Sequence, residues 1–341
     1  MLRRLKNRSA FAVILLVASS TIAAAQPSAL FSQVDPELRP IASAIARIQA
    51  TRHEQAIKPP ASYPPLPTNV TLSVAPPVRG THSVPVYVVD PPRDSAAPAR
   101  GAILFIHGGG FIAGDAREDL RRLASLASRL DCVIVSVQYR LAPGTKFPGS
   151  LEDNYAALKW LSANAPALKV DRSRLILMGE SAGGGHAAML ALAARDRGEI
   201  PIAFQALIYP MLDDRTGSSH PVAPTIGTLI WRAADNRKGW SALLGRPAGA
   251  KTVPAGAVPA RARSLAGLPP TLIGVGSIDL FAEEDIEYAR RLVAAGVPTE
   301  LLVLPGAFHG FQLIAPGARV SKRFNEAIAA ALARALAPKS P

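Results

Sequence analysis

Eight short segments of the chain carry apolar residues in unbroken runs or at every second position: residues 70–74, 85–89, 102–107, 132–137, 175–179, 204–209, 271–276 and 300–304. Runs of that length, rich in β-branched residues and bounded by turn formers, predict strands. Between and after them, apolar residues return at intervals of three and four, which predicts helices over 119–130, 151–164, 182–195, 285–295 and 321–335. Parallel neighbours need a crossover, so strand followed by helix, repeated, specifies an α/β fold: a mostly parallel sheet with helices on both faces.

Three stretches depart from this rhythm. From Asp35, which suits a cap, and Pro36, which suits a first turn, Leu38, Ile41, Ile45 and Ile48 recur on one face of an expected helix. A proline-rich stretch, 58–67, then reads as an extended linker. Between 211 and 266 no strand pattern appears, while Ile226, Leu229, Ile230, Trp231, Trp240, Leu243 and Leu244 recur at roughly helical spacings. A structureless stretch of that length is improbable inside a compact domain, so 211–266 is expected to form an inserted helical cap. Together with about 35–57 it would cover the ligand-binding edge of the sheet.

Residues 1–25 stand apart from the fold. Arg3, Arg4, Lys6 and Arg8 precede the apolar run 10–18, and Ala23, Ala24 and Ala25 supply small residues for cleavage. This is the pattern of a secretory signal peptide, with an apolar run too short to span a bilayer, so the expectation is export to the periplasm or medium. An uncleaved anchor is the alternative. The mature catalytic domain would then be 26–341. Its formal charge falls from the whole-chain +13 to +9 once the four leader cations are removed. The remaining basic residues are scattered and only 6% of residues are aromatic, which argues against nucleic-acid binding. The single cysteine, Cys132, lies in an apolar run and reads as a buried, inert thiol, leaving no internal disulfide.

The candidate chemistry gathers at predicted strand ends. Gly179-Glu180-Ser181-Ala182-Gly183 follows one strand and opens a helix rich in small residues. Such a turn strains its central serine and brings strand and helix too close for side chains two positions either side, the pattern of a nucleophile elbow. His107-Gly108-Gly109-Gly110-Phe111 lies upstream after another strand, where consecutive glycines let backbone N–H groups converge on a small anion; Ala182 offers a further amide at a helix N-terminus. Asp279 follows strand 271–276, and His309 lies in a glycine-containing loop after the last strand. Glu283, Glu284 and Asp285 rival Asp279, but they begin the next helix, where acidic residues commonly serve the helix dipole. The order Ser181, Asp279, His309 is that of the α/β-hydrolase arrangement.

These motifs stand at matching places along most of the chain, which resembles the hormone-sensitive lipase family of bacterial esterases. The likeness extends to Tyr139-Arg140-Leu141-Ala142-Pro143, Phe147-Pro148, the 157–161 segment Ala-Leu-Lys-Trp-Leu, the 240–245 segment Trp-Ser-Ala-Leu-Leu-Gly, and Phe308-His309-Gly310-Phe311. It implies an eight-stranded α/β-hydrolase with a helical cap, a metal-free and cofactor-free mechanism, and preference for short to medium acyl chains. It further implies that Gly109, Gly110 and Ala182 donate to an oxyanion while His107 braces its loop. Two departures stand out: Glu180 replaces a usual Asp or Thr, and Gly144 replaces an acidic residue that often follows Leu-Ala-Pro. Glu180 also matches the elbow of the larger carboxylesterase and cholinesterase group, but that group is longer and uses Glu as its acid.

The expected partner is a small-molecule ester hydrolysed through an acyl-enzyme. A deacetylase of acetylated polysaccharide, an enzyme acting on xenobiotic esters, a peptidase and a non-catalytic binding protein on the same fold are the rivals. The last strand and final helix offer an edge on which two copies could form a homodimer.

Overall fold

The computed structural model describes residues 31–51 and 63–338, apart from Arg79, Thr81 and Ser95. The expected leader, residues 52–57 of the expected cap and the first part of the linker lie outside the described residues; within them, 63–67 form neither helix nor strand.

Eight strands form one sheet: β1 (Val70–Ala75), β2 (Val84–Val89), β3 (Arg100–Ile106), β4 (Val133–Val137), β5 (Val170–Glu180), β6 (Phe204–Ile208), β7 (Thr271–Gly276) and β8 (Thr299–Leu304). Their order is β1-β2-β4-β3-β5-β6-β7-β8, with β2 antiparallel to both neighbours and every later pairing parallel. The described helices of at least a turn are α1 (Arg39–Thr51), α2 (Leu120–Leu130), α3 (Gly149–Asn164), α4 (Ala182–Arg197), α5 (Ala233–Leu244), α6 (Ala282–Ala294), α7 (Phe311–Ile314) and α8 (Arg319–Leu336).

The continuous apolar runs exist because the central strands bury both faces. Along β3, Ala102, Leu104 and Ile106 enter one core while Ile103 and Phe105 enter the other; in β4, Val133, Val135 and Val137 oppose Ile134 in the same way. The first core is closed by α3, α4, α5 and α6, and the second by α1, α2 and α8. After β3 the chain first builds outward to β4, then crosses to the other side of β3 for β5. That reversal opens a crevice at the carboxyl ends of β3 and β5, the place where open α/β sheets bind ligands.

All eight expected strands are present. The largest boundary difference is in β5, which starts at Val170 rather than at 175. Its first residues, Val-Asp-Arg-Ser-Arg, hide the apolar signal but are held by side chains: Arg174 donates to the Leu336 carbonyl (2.8 Å) and pairs with Asp171 (2.8 Å). The N-terminal helix begins at Arg39 rather than near Asp35, whose carboxylate instead accepts from the Glu37 amide (2.8 Å). Leu38, Ala42 and Ile45 are buried there, whereas Ile48 is 51% exposed.

The segment 211–266, expected as a helical cap, is mostly non-helical. Among the described residues, helix is confined to α5 and a 3-10 turn at Pro259–Arg261. The helical spacing seen from Ile226 fails at its first half because Gly227 and Ile230 adopt left-handed backbone, with φ of 63° and 66°. Gly227 is fixed there by close approach: a Cβ would lie 2.6 Å from Leu280 Cδ1, and its amide donates to the Ile278 carbonyl (3.1 Å). Hydrogen bonds from side chains replace the missing helix. Asp214 accepts from the Gly249 amide (2.9 Å) and pairs with Arg261 (2.7 Å), and Arg291 donates to the carbonyls of Ala260 and Ala262.

Candidate active site

Ser181 joins β5 to α4 at φ 56° and ψ −122°. The turn admits no side chain at either flanking glycine. A Cβ on Gly179 would lie 2.1 Å from the Gly183 carbonyl oxygen, and one on Gly183 would lie 2.0 Å from the Ile106 carbonyl oxygen. The strained residue is held from both sides: its amide donates to the Ile208 carbonyl (2.9 Å), and its own carbonyl accepts from the amides of Gly185 (3.0 Å) and Met211 (3.0 Å). β3, β5 and β6 and the chain beyond β6 thus fix one hydroxyl at the crevice.

Two loops reach that hydroxyl. His309 Nε2 lies 2.9 Å from Ser181 Oγ, and His309 Nδ1 lies 2.9 Å from Asp279 Oδ2. The other carboxylate oxygen of Asp279 accepts from the Phe281 amide (3.0 Å), which fixes the rotamer that faces the imidazole. With Nδ1–H donating to Asp279, Nε2 presents its lone pair to the serine. Edge-on contacts with Tyr209 (4.7 Å between centroids) and Phe281 (5.2 Å) set the ring plane. The neighbouring aromatics in sequence, Phe308 and Phe311, are instead buried in the second core.

The rival carboxylates are elsewhere. Glu283 is exposed, and Glu284 accepts through Oε1 from the amides of Leu212 (2.7 Å) and Asp213 (3.2 Å). Asp285 is wholly buried, and burial, reinforced by the nearby carboxylates of Glu284 and Asp279, pushes its carboxyl well above the usual range. All three stand in the first turn of α6, as expected, and Glu284 in addition ties that turn to the segment after β6.

The glycine loop lies against the same serine. A Cβ on Gly108 would sit 3.1 Å from the Glu180 carbonyl oxygen and 3.4 Å from Ser181 Cβ. Gly109 and Gly110 have φ of 111° and 60°, and the amides of Gly109, Gly110 and Ala182 find no backbone acceptor among the described residues. His107 is buried, stacked on Tyr139 (4.3 Å), with Nδ1 2.8 Å from the Gly108 carbonyl, a contact that Nδ1–H donates; burial lowers its pKa. Tyr139 adds a hydroxyl bond to the His107 carbonyl (3.0 Å). Trp231 covers the loop, its indole so near that a Cβ on Gly110 would lie 2.1 Å from the ring.

Glu180, one of the two sequence departures, forms a bidentate pair with Arg122 (2.7 and 3.0 Å), and Arg122 also pairs with Asp119 (2.8 Å). Burial holds the Glu180 carboxyl above its ordinary pKa, and Arg122 offsets only part of that. Tyr209, which bonds Gln312 (2.5 Å) beside His309, carries no signal in sequence: it reads there only as the last apolar residue of a strand.

Residues 103–313 match the model of a family described by the alpha/beta hydrolase fold. Esterase LipI of Mycobacterium tuberculosis is 36% identical over 224 residues, 64% of this chain and 67% of LipI. The chain belongs to the hormone-sensitive lipase family of α/β-hydrolases. Carboxylesterase NlhH of the same organism is 34% identical over 247 residues, 70% of this family member and 75% of NlhH. A solved bacterial heroin esterase superposes with a TM-score of 0.75 at 34% identity, covering 90% of this chain and 99% of its own. This hydrolase is accordingly a carboxylic ester hydrolase.

Proposed function

We propose that the enzyme hydrolyses esters of short to medium acyl length through Ser181, His309 and Asp279. His309 Nε2 takes the Ser181 proton as Oγ attacks the ester carbonyl, and Asp279 holds the imidazole tautomer and steadies its charged form. The amides of Gly109, Gly110 and Ala182 receive the oxyanion, each such donor typically contributing about 10² to 10³ in rate. His309 then passes its proton to the departing alcohol, leaving an acyl-serine. Water, activated by the same imidazole, releases the acid and restores the hydroxyl. The observation that carries this reading is the unbroken hydrogen-bond chain Ser181–His309–Asp279, 2.9 Å at each step. The limit on acyl length is supported by Trp231, which closes over Gly110.

The test is a series of p-nitrophenyl esters from acetate to palmitate, with Ser181→Ala, His309→Ala and Asp279→Asn alongside. Turnover is expected to peak at the short end and to collapse in all three variants. Full activity of Ser181→Ala would overturn the mechanism. An acetylated oligosaccharide preferred over every simple ester would move the substrate to the polysaccharide class.

A further inference from the structure

The short stretch that ends β6 and leaves it, 208–211, touches both the serine and the imidazole. The Ile208 carbonyl accepts from the Ser181 amide (2.9 Å), and the Met211 amide donates to the Ser181 carbonyl (3.0 Å). Between them stands Tyr209, buried, its ring edge-on to the His309 imidazole with centroids 4.7 Å apart. Tyr209 is held there in left-handed backbone, φ 35°, a conformation unfavourable to a residue that carries a Cβ. Its amide donates to the Gly274 carbonyl of β7 (2.6 Å), and its ring stacks on Phe324 of α8 (6.4 Å between centroids).

With backbone and ring so fixed, the phenol oxygen accepts from Gln312 Nε2 across 2.5 Å. Gln312 is a buried residue of α7, the short helix that directly follows the His309 loop. Its other amide atom, Oε1, is buried without a hydrogen-bond partner, so among the described residues the phenol is the one hydrogen-bonded anchor of this side chain. A half-satisfied amide in the interior lowers stability, and an apolar side chain of the same length would suit the packing better. Packing alone therefore gives no reason for the pair. What the pair does is tie the loop that carries His309 to the segment that grips Ser181.

We propose that Tyr209 and Gln312 are positioning residues for hydrolysis, a clamp that keeps the His309 imidazole in reach of the Ser181 hydroxyl. They act through His309 rather than on the ester. The imidazole takes a proton from Oγ and returns it to the leaving alcohol from the same nitrogen, so a drift of about 1 Å in its loop costs up to about 10² in rate. Asp279 orients the ring, and the clamp fixes the loop on which the ring is carried. The inference rests on the triad proposed above.

Steady-state hydrolysis of p-nitrophenyl acetate by the full chain tests this, with thermal unfolding of the same samples. Tyr209→Phe and Gln312→Met should each lower kcat and kcat/KM together by about tenfold, leaving KM within about twofold of the parent. The double variant should lose no more than the worse single one, because either substitution already opens the clamp. Tyr209→Phe leaves the whole Gln312 amide without a partner and should melt below the parent; adding Gln312→Met should restore the midpoint without restoring turnover. Parent turnover in either single variant, losses that multiply in the double, or turnover that recovers with the midpoint would overturn the clamp. His309→Ala, run alongside, separates the two readings. Parent turnover there would remove the triad on which the clamp depends, whereas its collapse beside an unaffected Tyr209→Phe would strike the clamp alone.

Discussion

Ser181 occupies a backbone conformation that few residues other than glycine adopt, and four hydrogen-bonded neighbours hold it there. Replacing it by alanine is expected to lower kcat/KM for p-nitrophenyl acetate by about 10⁴-fold or more, with the thermal unfolding midpoint nearly unchanged. Gly179→Ala acts in the opposite sense, forcing a Cβ onto the Gly183 carbonyl and costing about 2–3 kcal/mol in denaturant unfolding. Trp231→Ala, read on the same ester series, should shift the preferred acyl group to longer chains by uncovering Gly110. The thiol of Cys132 is buried and pushed up to about 12, so it should resist a thiol reagent at pH 8 until the protein unfolds. The three residues of the hydrogen-bonded chain were legible because each follows a strand in a turn whose chemistry is written locally. Tyr209 and Gln312 were not, since their importance comes from contacts between segments about 100 residues apart.

At the scale of elements, the strands could be read because two-sided burial demands continuous apolar runs, and the long helices because one-sided burial demands a stripe. The start of β5 was hidden because its charged residues are satisfied by partners far along the chain, at Leu336 and Ala99. The left-handed turn at Ile230 was equally hidden, since a β-branched residue gives no warning of positive φ. One element contact deserves a direct measurement. α2 supplies Arg122, whose side chain is 36% exposed, to the buried Glu180 at the end of β5. Arg122→Ala leaves that carboxyl without its cation and should destabilise the fold by about 3 kcal/mol at neutral pH. Arg122→Met combined with Glu180→Gln should recover much of that loss, because the buried charge is then gone as well.

For the molecule as a whole, the buried acids beside the site make stability depend on pH in an unusual direction. Below about pH 4 the carboxyl of Asp285 holds its proton whether the chain is folded or not. Above that, the unfolded carboxyl ionises while the buried one stays neutral up to its raised pKa, so unfolding releases a proton and stability falls as pH rises through the window. Asp285→Asn is neutral throughout and should therefore melt about 2 °C or more above the parent at pH 8, with the gap closing towards pH 4. A gap of equal size at both pH values would remove ionisation as its cause. The overall sheet followed from the alternation of strand and helix, but the two-core layout depends on which side each crossover takes, and no local pattern states that.

Gly227 binds the long excursion after β6 to the very turn that carries Asp279, through its amide on Ile278 and its bare α-carbon against Leu280. For anyone exchanging this excursion with that of a relative to change substrate range, the junction is a fixed seam. A graft that brings any side chain to position 227 is expected to displace Asp279 from His309, and under the proposed mechanism the chimaera would fold without turning over esters.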